Sequence, residues 1–298
     1  MDARPSAAGA GPTLTARLHV LLQYLLPQHG LSRLVWHIAR SRRVWLKNFL
    51  IGAFVKHYRP NMSDAADPVP QHYHSFNDFF TRALKSGARR IDADPLSIVS
   101  PVDGTVSALG PIEGDTLFQA KGKHFSLASL LAGSAAESAR FANGSFATLY
   151  LAPFNYHRIH MPCDGALERA RYVPGRLFSV NIATAALVDQ LFARNERIVC
   201  VFEDGAAPFA LVLVGALFVG SMSTRWHGEV SPGAGGPREL SSGMGAAPPL
   251  AKGAEFARFN MGSTVILLLP PGAPAWLPEF GVGSRIEVGQ VLARRSNP

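Results

Sequence analysis

"RFNMGSTVILLLP", residues 258 to 270, sets Gly262, Ser263 and Thr264 directly before five consecutive apolar residues, Val265 to Leu269. Gly-Ser-Thr is turn chemistry. A short unbroken apolar run between such a turn and Pro270 reads as a strand buried on both faces. A strand of that kind needs partners, and the preceding sequence supplies them. "SIVSPVDGTVSALG" (97–110), "SFATLYLAP" (145–153), "RIVCVFED" (197–204) and "FALVLVGALFVGSM" (209–222) share its texture of β-branched and aromatic runs broken by Gly and Pro. "HFSLASLLAG" (124–133) and "VNIATAALVDQLFARN" (180–195) read instead as helices, and the Gly/Pro/Ser-rich residues 231–249 as a mobile loop. With helical patterning confined mainly to the N-terminus, the expected class is α+β: amphipathic N-terminal helices followed by a β-rich core.

The chain has 298 residues, 47% of them hydrophobic, enough for one large core. Its two cysteines, Cys163 and Cys200, form no CxxC pair, which argues against a disulfide framework and for a reducing compartment. The net charge is +8, and its location matters. Nine of the 29 basic residues but only one of the 21 acidic ones lie in residues 1 to 60, so that segment carries the whole excess. The neutral remainder gives no reason to expect nucleic acid as a partner.

Within the basic segment, Leu14, Leu18, Leu21, Leu22 and Leu25 recur on one helical face, and Pro27 ends the pattern. "SRRVWLKNFLIGAFVKHY" (41–58) sets Leu46, Phe49, Leu50, Ala53 and Phe54 on one face, with Arg42, Arg43, Lys47 and Lys56 nearby and Trp36 and Trp45 as interfacial rings. Basic, aromatic and amphipathic together point to an anionic membrane surface. No window reaches the roughly 18 to 20 apolar residues that a spanning helix needs. The expectation is a peripheral protein on the cytoplasmic face of the cell membrane. The alternative is that the helices pack on the rest of the protein with their charges solvated. "NMSDAADPVPQ" (61–71) reads as a connector, and Ser75-Phe76-Asn77-Asp78 as a capping box opening a short helix through Phe79, Phe80 and Leu84.

Reactive side chains gather at three places: Asp103 before Gly104, His157 and His160 in "LAPFNYHRIHMPCDG" (151–165), and the opening stretch. The histidines lack the companion ligands of a metal site, so no metal is expected. Asp103, His160 and Ser263 supply an acid, a base and a hydroxyl, the parts of a serine hydrolase. The G-x-S-x-G elbow is absent, however, because Thr264 and Val265 follow Ser263. Gly262 suggests another use. Its carbonyl is sterically open, so Ser263 can attack it, convert the peptide to an ester and, after elimination, leave a dehydroalanine that hydrolyses to a pyruvoyl group.

These stretches, with "LLQYLLPQHGLSRL", "FNDFFTRALK", "YVPGRLFSVN", "LFARNERIVCVFE", "VGALFVGSM" and "KGAEFARF", resemble the bacterial pyruvoyl-dependent phosphatidylserine decarboxylase proenzymes along nearly the whole chain. The resemblance implies a zymogen of phospholipid biosynthesis that cuts itself at Gly262/Ser263. Ser263 would become the covalent pyruvoyl cofactor, and Asp103 and His160 would complete the processing triad. His157 would serve the decarboxylation of phosphatidylserine to phosphatidylethanolamine through a Schiff base. The family's Leu-Gly-Ser-Thr stands here as Met261-Gly262-Ser263-Thr264, a volume-conserving swap. Residues 1–60 then form the membrane-docking region, 61–96 a connector and short helix, and 97–298 the catalytic domain. The two fragments would remain together as a heterodimer, and a homodimer of that unit is compatible with the pattern. Three other readings use the same residues: a membrane-associated serine hydrolase with an intact chain, a lipid-binding module with structural histidines, and a soluble pyruvoyl decarboxylase of a free amino acid.

Overall fold

The computed structural model describes residues 13–120, 122–205, 207–218, 221–230, 235–240, 247–262 and 264–296. The apolar run forms the strand Thr264–Leu269, and all six residues are buried. Its side chains alternate between two cores. Val265, Leu267 and Leu269 enter one, Ile266 and Leu268 the other. The strand pairs antiparallel on both edges, Thr264 opposite Tyr150 on one side and opposite Val214 on the other.

It is thereby an inner strand of an eight-stranded sheet. The order is Arg238–Glu239, Ala166–Val173, Arg197–Glu203, Pro208–Val214, Thr264–Leu269, Ser145–Tyr150, Gly104–Pro111 and Arg285–Ile286. A second, four-stranded sheet contributes Ile159, Met222, Phe256 and Phe259 to the core on one face. On the other face, the short helices Leu127–Leu131 and Leu191–Arg194 and the hairpin Thr116–Ala120/Lys123–Ser126 bring in Leu117, Phe125, Leu130 and Phe192. The α+β expectation holds.

Three N-terminal helices precede this core: α1 Leu14–Leu25, α2 Gln28–Ala39 and α3 Val44–Tyr58. Helix α2 was not foreseen. Pro27 does end α1, but it also caps the start of α2, because a missing N–H costs nothing in a first turn. The leucine face read for α1 is turned away from the protein: Leu14, Leu18, Leu21, Leu22 and Leu25 are all exposed. Helix α1 docks on its other side through buried Val20, the Tyr24 ring on Phe178 and polar groups. Gln23 Oε1 accepts from the Ser179 amide at 2.7 Å, and Gln28, just beyond it, accepts from the Leu177 amide at 2.9 Å. In α3 the expected face is divided. Leu50 and Phe54 pack toward α4, Phe54 edge-on against Phe76, Phe79 and Phe80, while Phe49 is exposed; Ile51, outside that face, is buried, and the Trp45 ring is exposed.

Helix α4, Phe76–Phe80, carries the expected cap, the Asp78 amide donating to Ser75 Oγ at 3.1 Å. It stops short of Leu84, which bridges to Ala65 instead. The expected helix over 180–195 is two short ones, Ile182–Ala185 and Leu191–Arg194. Buried Gln119 explains the break. Its amide donates to the carbonyls of Ala185 and Val188, and its oxygen accepts from the Leu191 amide, satisfying the ends that a continuous helix would have paired internally. The reading of 231–249 as a loop is corrected at Arg238–Glu239, which forms an edge strand on Tyr172 and Arg171. Residues 231–234 and 241–246 of that segment lie outside the described residues.

Candidate active site

Ser263, the expected nucleophile and pyruvoyl precursor, lies outside the described residues, and the site is framed by its two neighbours. Thr264 opens the central strand. Gly262 lies against the His157 ring: a Cβ added there would meet His157 Cε1 at 2.9 Å, so a larger residue would push the imidazole aside.

His157 is fully buried and stacks on Phe80 of α4 with ring centroids 4.1 Å apart. Its Nε2 lies 3.2 Å from the Pro153 carbonyl, which can only accept, so Nε2 carries the proton. Among the described residues Nδ1 has no hydrogen-bond partner. Burial pushes this imidazole down to about 3, which keeps the ring neutral. The folded protein thus excludes a proton that the unfolded chain binds below its ordinary value of 6.5. Stability from His157 is fully present above that value and is lost as the pH falls toward 3, with a limiting slope of about 1.4 kcal/mol per pH unit. Urea unfolding between pH 7 and 4.5 should show a shallower acid loss for His157→Phe than for the wild type.

His160 is held differently. Its Nδ1 lies 2.8 Å from the Gly253 carbonyl and therefore donates, leaving Nε2 to accept from the Tyr156 hydroxyl at 3.1 Å. Burial is the main cause lowering its proton affinity, and the charge of Asp103 acts in the opposite direction. His160 is therefore a neutral base with its lone pair on Nε2.

Asp103 makes no hydrogen bond to His160 among those of the described residues. Its carboxylate is clasped by Arg89, with Nε at 2.9 and 3.1 Å and Nη2 at 2.5 Å, and it accepts from the Val288 amide at 2.9 Å. These bonds to Asp103 raise the Arg89 guanidinium above its usual range, and Arg89 also reaches Asp64 at 3.0 Å. Gly104 lets this corner close, since a Cβ there would lie 2.4 Å from the Tyr150 carbonyl oxygen. Asp103, His157 and His160 are thus the expected site residues among the described ones, and Arg89 and Tyr156, which touch Asp103 and His160, were not among those expected. Tyr156 stood in plain view beside His157, but nothing local to "GARRIDADP" links Arg89 to a carboxylate 14 residues on.

A cavity of about 540 Å³ reaches Gly262, walled by Phe54 and Tyr58 of α3, Phe80, Tyr150, Val180 and Met261. It opens between the N-terminal helices and the end of the large sheet, so an apolar molecule entering past α3 would meet Gly262.

A phosphatidylserine decarboxylase family model matches residues 76–294, and a second model, described as PSD, matches residues 18–59. The chain belongs to the phosphatidylserine decarboxylase family. Similar relatives are the phosphatidylserine decarboxylase proenzymes of Methylococcus capsulatus, 48% identical, and Polaromonas naphthalenivorans, 50% identical, each alignment covering 94% of this chain and 97% of the relative. That of Ectopseudomonas mendocina is 51% identical over 93% of this chain and 97% of its own. For a phosphatidylserine decarboxylase, a cavity walled by aromatic and aliphatic side chains suits a substrate with acyl chains. The relatives' names describe them as proenzymes, that is, precursor forms.

Proposed function

We propose that this chain cuts itself between Gly262 and Ser263 and then converts phosphatidylserine to phosphatidylethanolamine and carbon dioxide at a membrane surface. The observation that carries this reading is the fully buried His157 ring, packed against Gly262 beside the apolar cavity, its Nδ1 without a partner among the described residues. A buried nitrogen without a partner costs free energy, and beside the cavity a bound molecule can supply that partner.

In the self-cleavage, the Ser263 hydroxyl adds to the Gly262 carbonyl and displaces the peptide nitrogen, giving an ester. His160, neutral with an accepting Nε2, is suited to take the hydroxyl proton once Tyr156 releases it, and Asp103 steadies the resulting imidazolium through its charge. Loss of the Cα proton of residue 263 expels the Gly262 carboxylate and leaves dehydroalanine. Water then replaces the nitrogen, ammonia departs, and a pyruvoyl group remains at the head of the C-terminal fragment.

Such a group supplies a carbonyl that condenses with the substrate amine and draws electrons from the bond to the carboxylate. The chain's residues do the rest. Phe80, Tyr150 and Met261 exclude water from the substrate carboxylate, which favours its departure as carbon dioxide. His157 returns a proton to the carbon left behind. A substrate anion beside Nδ1 favours the imidazolium that burial alone opposes, so His157 becomes charged only when substrate is bound. The exposed leucines of α1 and Trp45 and Phe49 of α3 are suited to enter the cytoplasmic leaflet beside the cavity mouth. Among the described residues no helix is long and apolar enough to cross a membrane.

The test is phosphatidylserine labelled in its serine carboxyl, presented in anionic vesicles. Labelled carbon dioxide should be released, hydroxylamine should abolish the release, and reduction with cyanoborohydride should attach substrate to the C-terminal fragment. Release of free serine or fatty acid without carbon dioxide, with fluorophosphonate labelling Ser263, would make the protein a hydrolase.

A further inference from the structure

Asn260, two residues before Gly262, is held on several sides although it is only 2% exposed. Its amide donates to the Ser221 carbonyl at 3.1 Å, and its Nδ2 donates to Ser221 Oγ at 2.7 Å and to Ser223 Oγ at 3.1 Å. Its own carbonyl accepts from Asn77 Nδ2 of α4 at 2.6 Å. The bonds continue outward. Ser221 Oγ donates to the Glu229 carboxylate, which also accepts from Trp36 Nε1 at 2.8 Å and from Arg40 at 2.7 Å. Trp36 belongs to α2, and Arg40, at its C-terminal end, lies over the Trp36 ring at 4.3 Å. An unbroken chain of hydrogen bonds therefore runs from α2 to the backbone just before the Gly262–Ser263 bond. On the following residue, Met261 packs against the cluster of Ile51, Phe76, Phe79 and Phe80 formed by α3 and α4.

Fully satisfied buried polar networks fix one geometry, and a carbonyl displaced by a fraction of an ångström loses much of its reactivity toward a neighbouring hydroxyl. We propose that Asn260 is a positioning residue for the self-cleavage, and that Ser221 and Glu229 tie it to Trp36 and Arg40, so that the seating of α2 sets how well the Gly262 carbonyl is presented to Ser263. This rests on the self-processing reading above.

Freshly translated chains can be followed by gel and mass for the fraction cut against time, with melting temperature measured in parallel. Asn260→Asp keeps the side chain's shape and removes its donors, and Ser221→Ala removes the hydroxyl that joins Asn260 to Glu229. Both should cut about tenfold more slowly or worse, while melting within a few degrees of wild type. Trp36→Phe, which removes only the indole donor at the half-exposed end, should slow cutting by a few-fold. Cutting at the wild-type rate in Asn260→Asp and Ser221→Ala overturns the inference. So does slowing that merely tracks a large loss of melting temperature, which is what a structural role would give. Normal cutting in Trp36→Phe overturns the tie to α2. A wild-type chain that never cuts overturns the self-processing reading, and this inference with it.

Discussion

Ser263→Ala should leave a single 298-residue chain with no decarboxylase activity above the uncatalysed background, because on the proposed reading the same hydroxyl makes the cut and becomes the reactive carbonyl. The histidines should then divide. His160→Ala should also accumulate uncut chain, since an alcohol without a base is a poor nucleophile. His160 suits that role, its Nδ1 proton fixed on Gly253 and its Nε2 an acceptor that the Tyr156 hydroxyl now holds. Asp103→Asn should act in the same direction but less completely. Asp103 reaches His160 through its charge, and its carboxylate is bonded to Arg89 and the Val288 amide. His157→Ala should still cut yet turn over poorly, as general acid-base groups typically contribute about a hundredfold to ten-thousandfold. Gels of the purified variants, with carbon dioxide release per molecule of cut chain, give the comparison. A His157→Ala protein that fails to cut, beside a His160→Ala protein that cuts normally, would reverse the two roles.

Binding to anionic vesicles should collapse when four exposed apolar side chains are made polar together, Leu18→Gln, Leu22→Gln, Trp45→Gln and Phe49→Gln. Removing residues 1 to 60 is a poorer experiment, because it also uncovers Phe76 and Phe80 and deletes the Gln23 and Gln28 anchors. The four chosen residues are exposed in the fold, so their loss leaves the core intact. Each contributes roughly 1.5 to 3 kcal/mol when fully buried. Even partial insertion into the leaflet therefore gives an expected fall in vesicle affinity of about a hundredfold or more. Added salt should weaken what remains, since the basic residues of this segment act through screened attraction. Unchanged co-sedimentation with vesicles would mean that the protein docks by another surface.

The central strand was legible because Gly262 and Pro270 bracket five apolar residues with no competing helical period. The capping of α4 was legible for a similar reason, being a contact between Ser75 and a residue three positions on. What stayed hidden depends on partners distant in sequence. The break between Ile182–Ala185 and Leu191–Arg194 is made by Gln119, some 65 residues away, and no pattern within 180–195 announces it. The strand at Arg238–Glu239 sits in a stretch whose composition reads as loop. It pairs because Tyr172 offers a sheet edge and an aromatic face for Arg238, at 4.2 Å. At the site, chemistry marked Asp103, His157 and His160 as candidates. That His157 rather than His160 touches Gly262 follows from the Phe80 ring against which it stacks, a contact between the short helix and the histidine loop.

If Ser263 becomes the reactive carbonyl, active protein cannot be one chain. Under native conditions the fragments should stay together, because Thr264–Leu269 lies between Pro208–Val214 and Ser145–Tyr150 in the large sheet, hydrogen-bonded to both. Denaturing intact-mass measurement of active, purified protein should therefore show a 262-residue fragment ending at Gly262 and a 36-residue fragment whose blocked amino terminus has the mass of a pyruvoyl group in place of Ser263. A single uncut mass in protein that releases carbon dioxide from phosphatidylserine would contradict it.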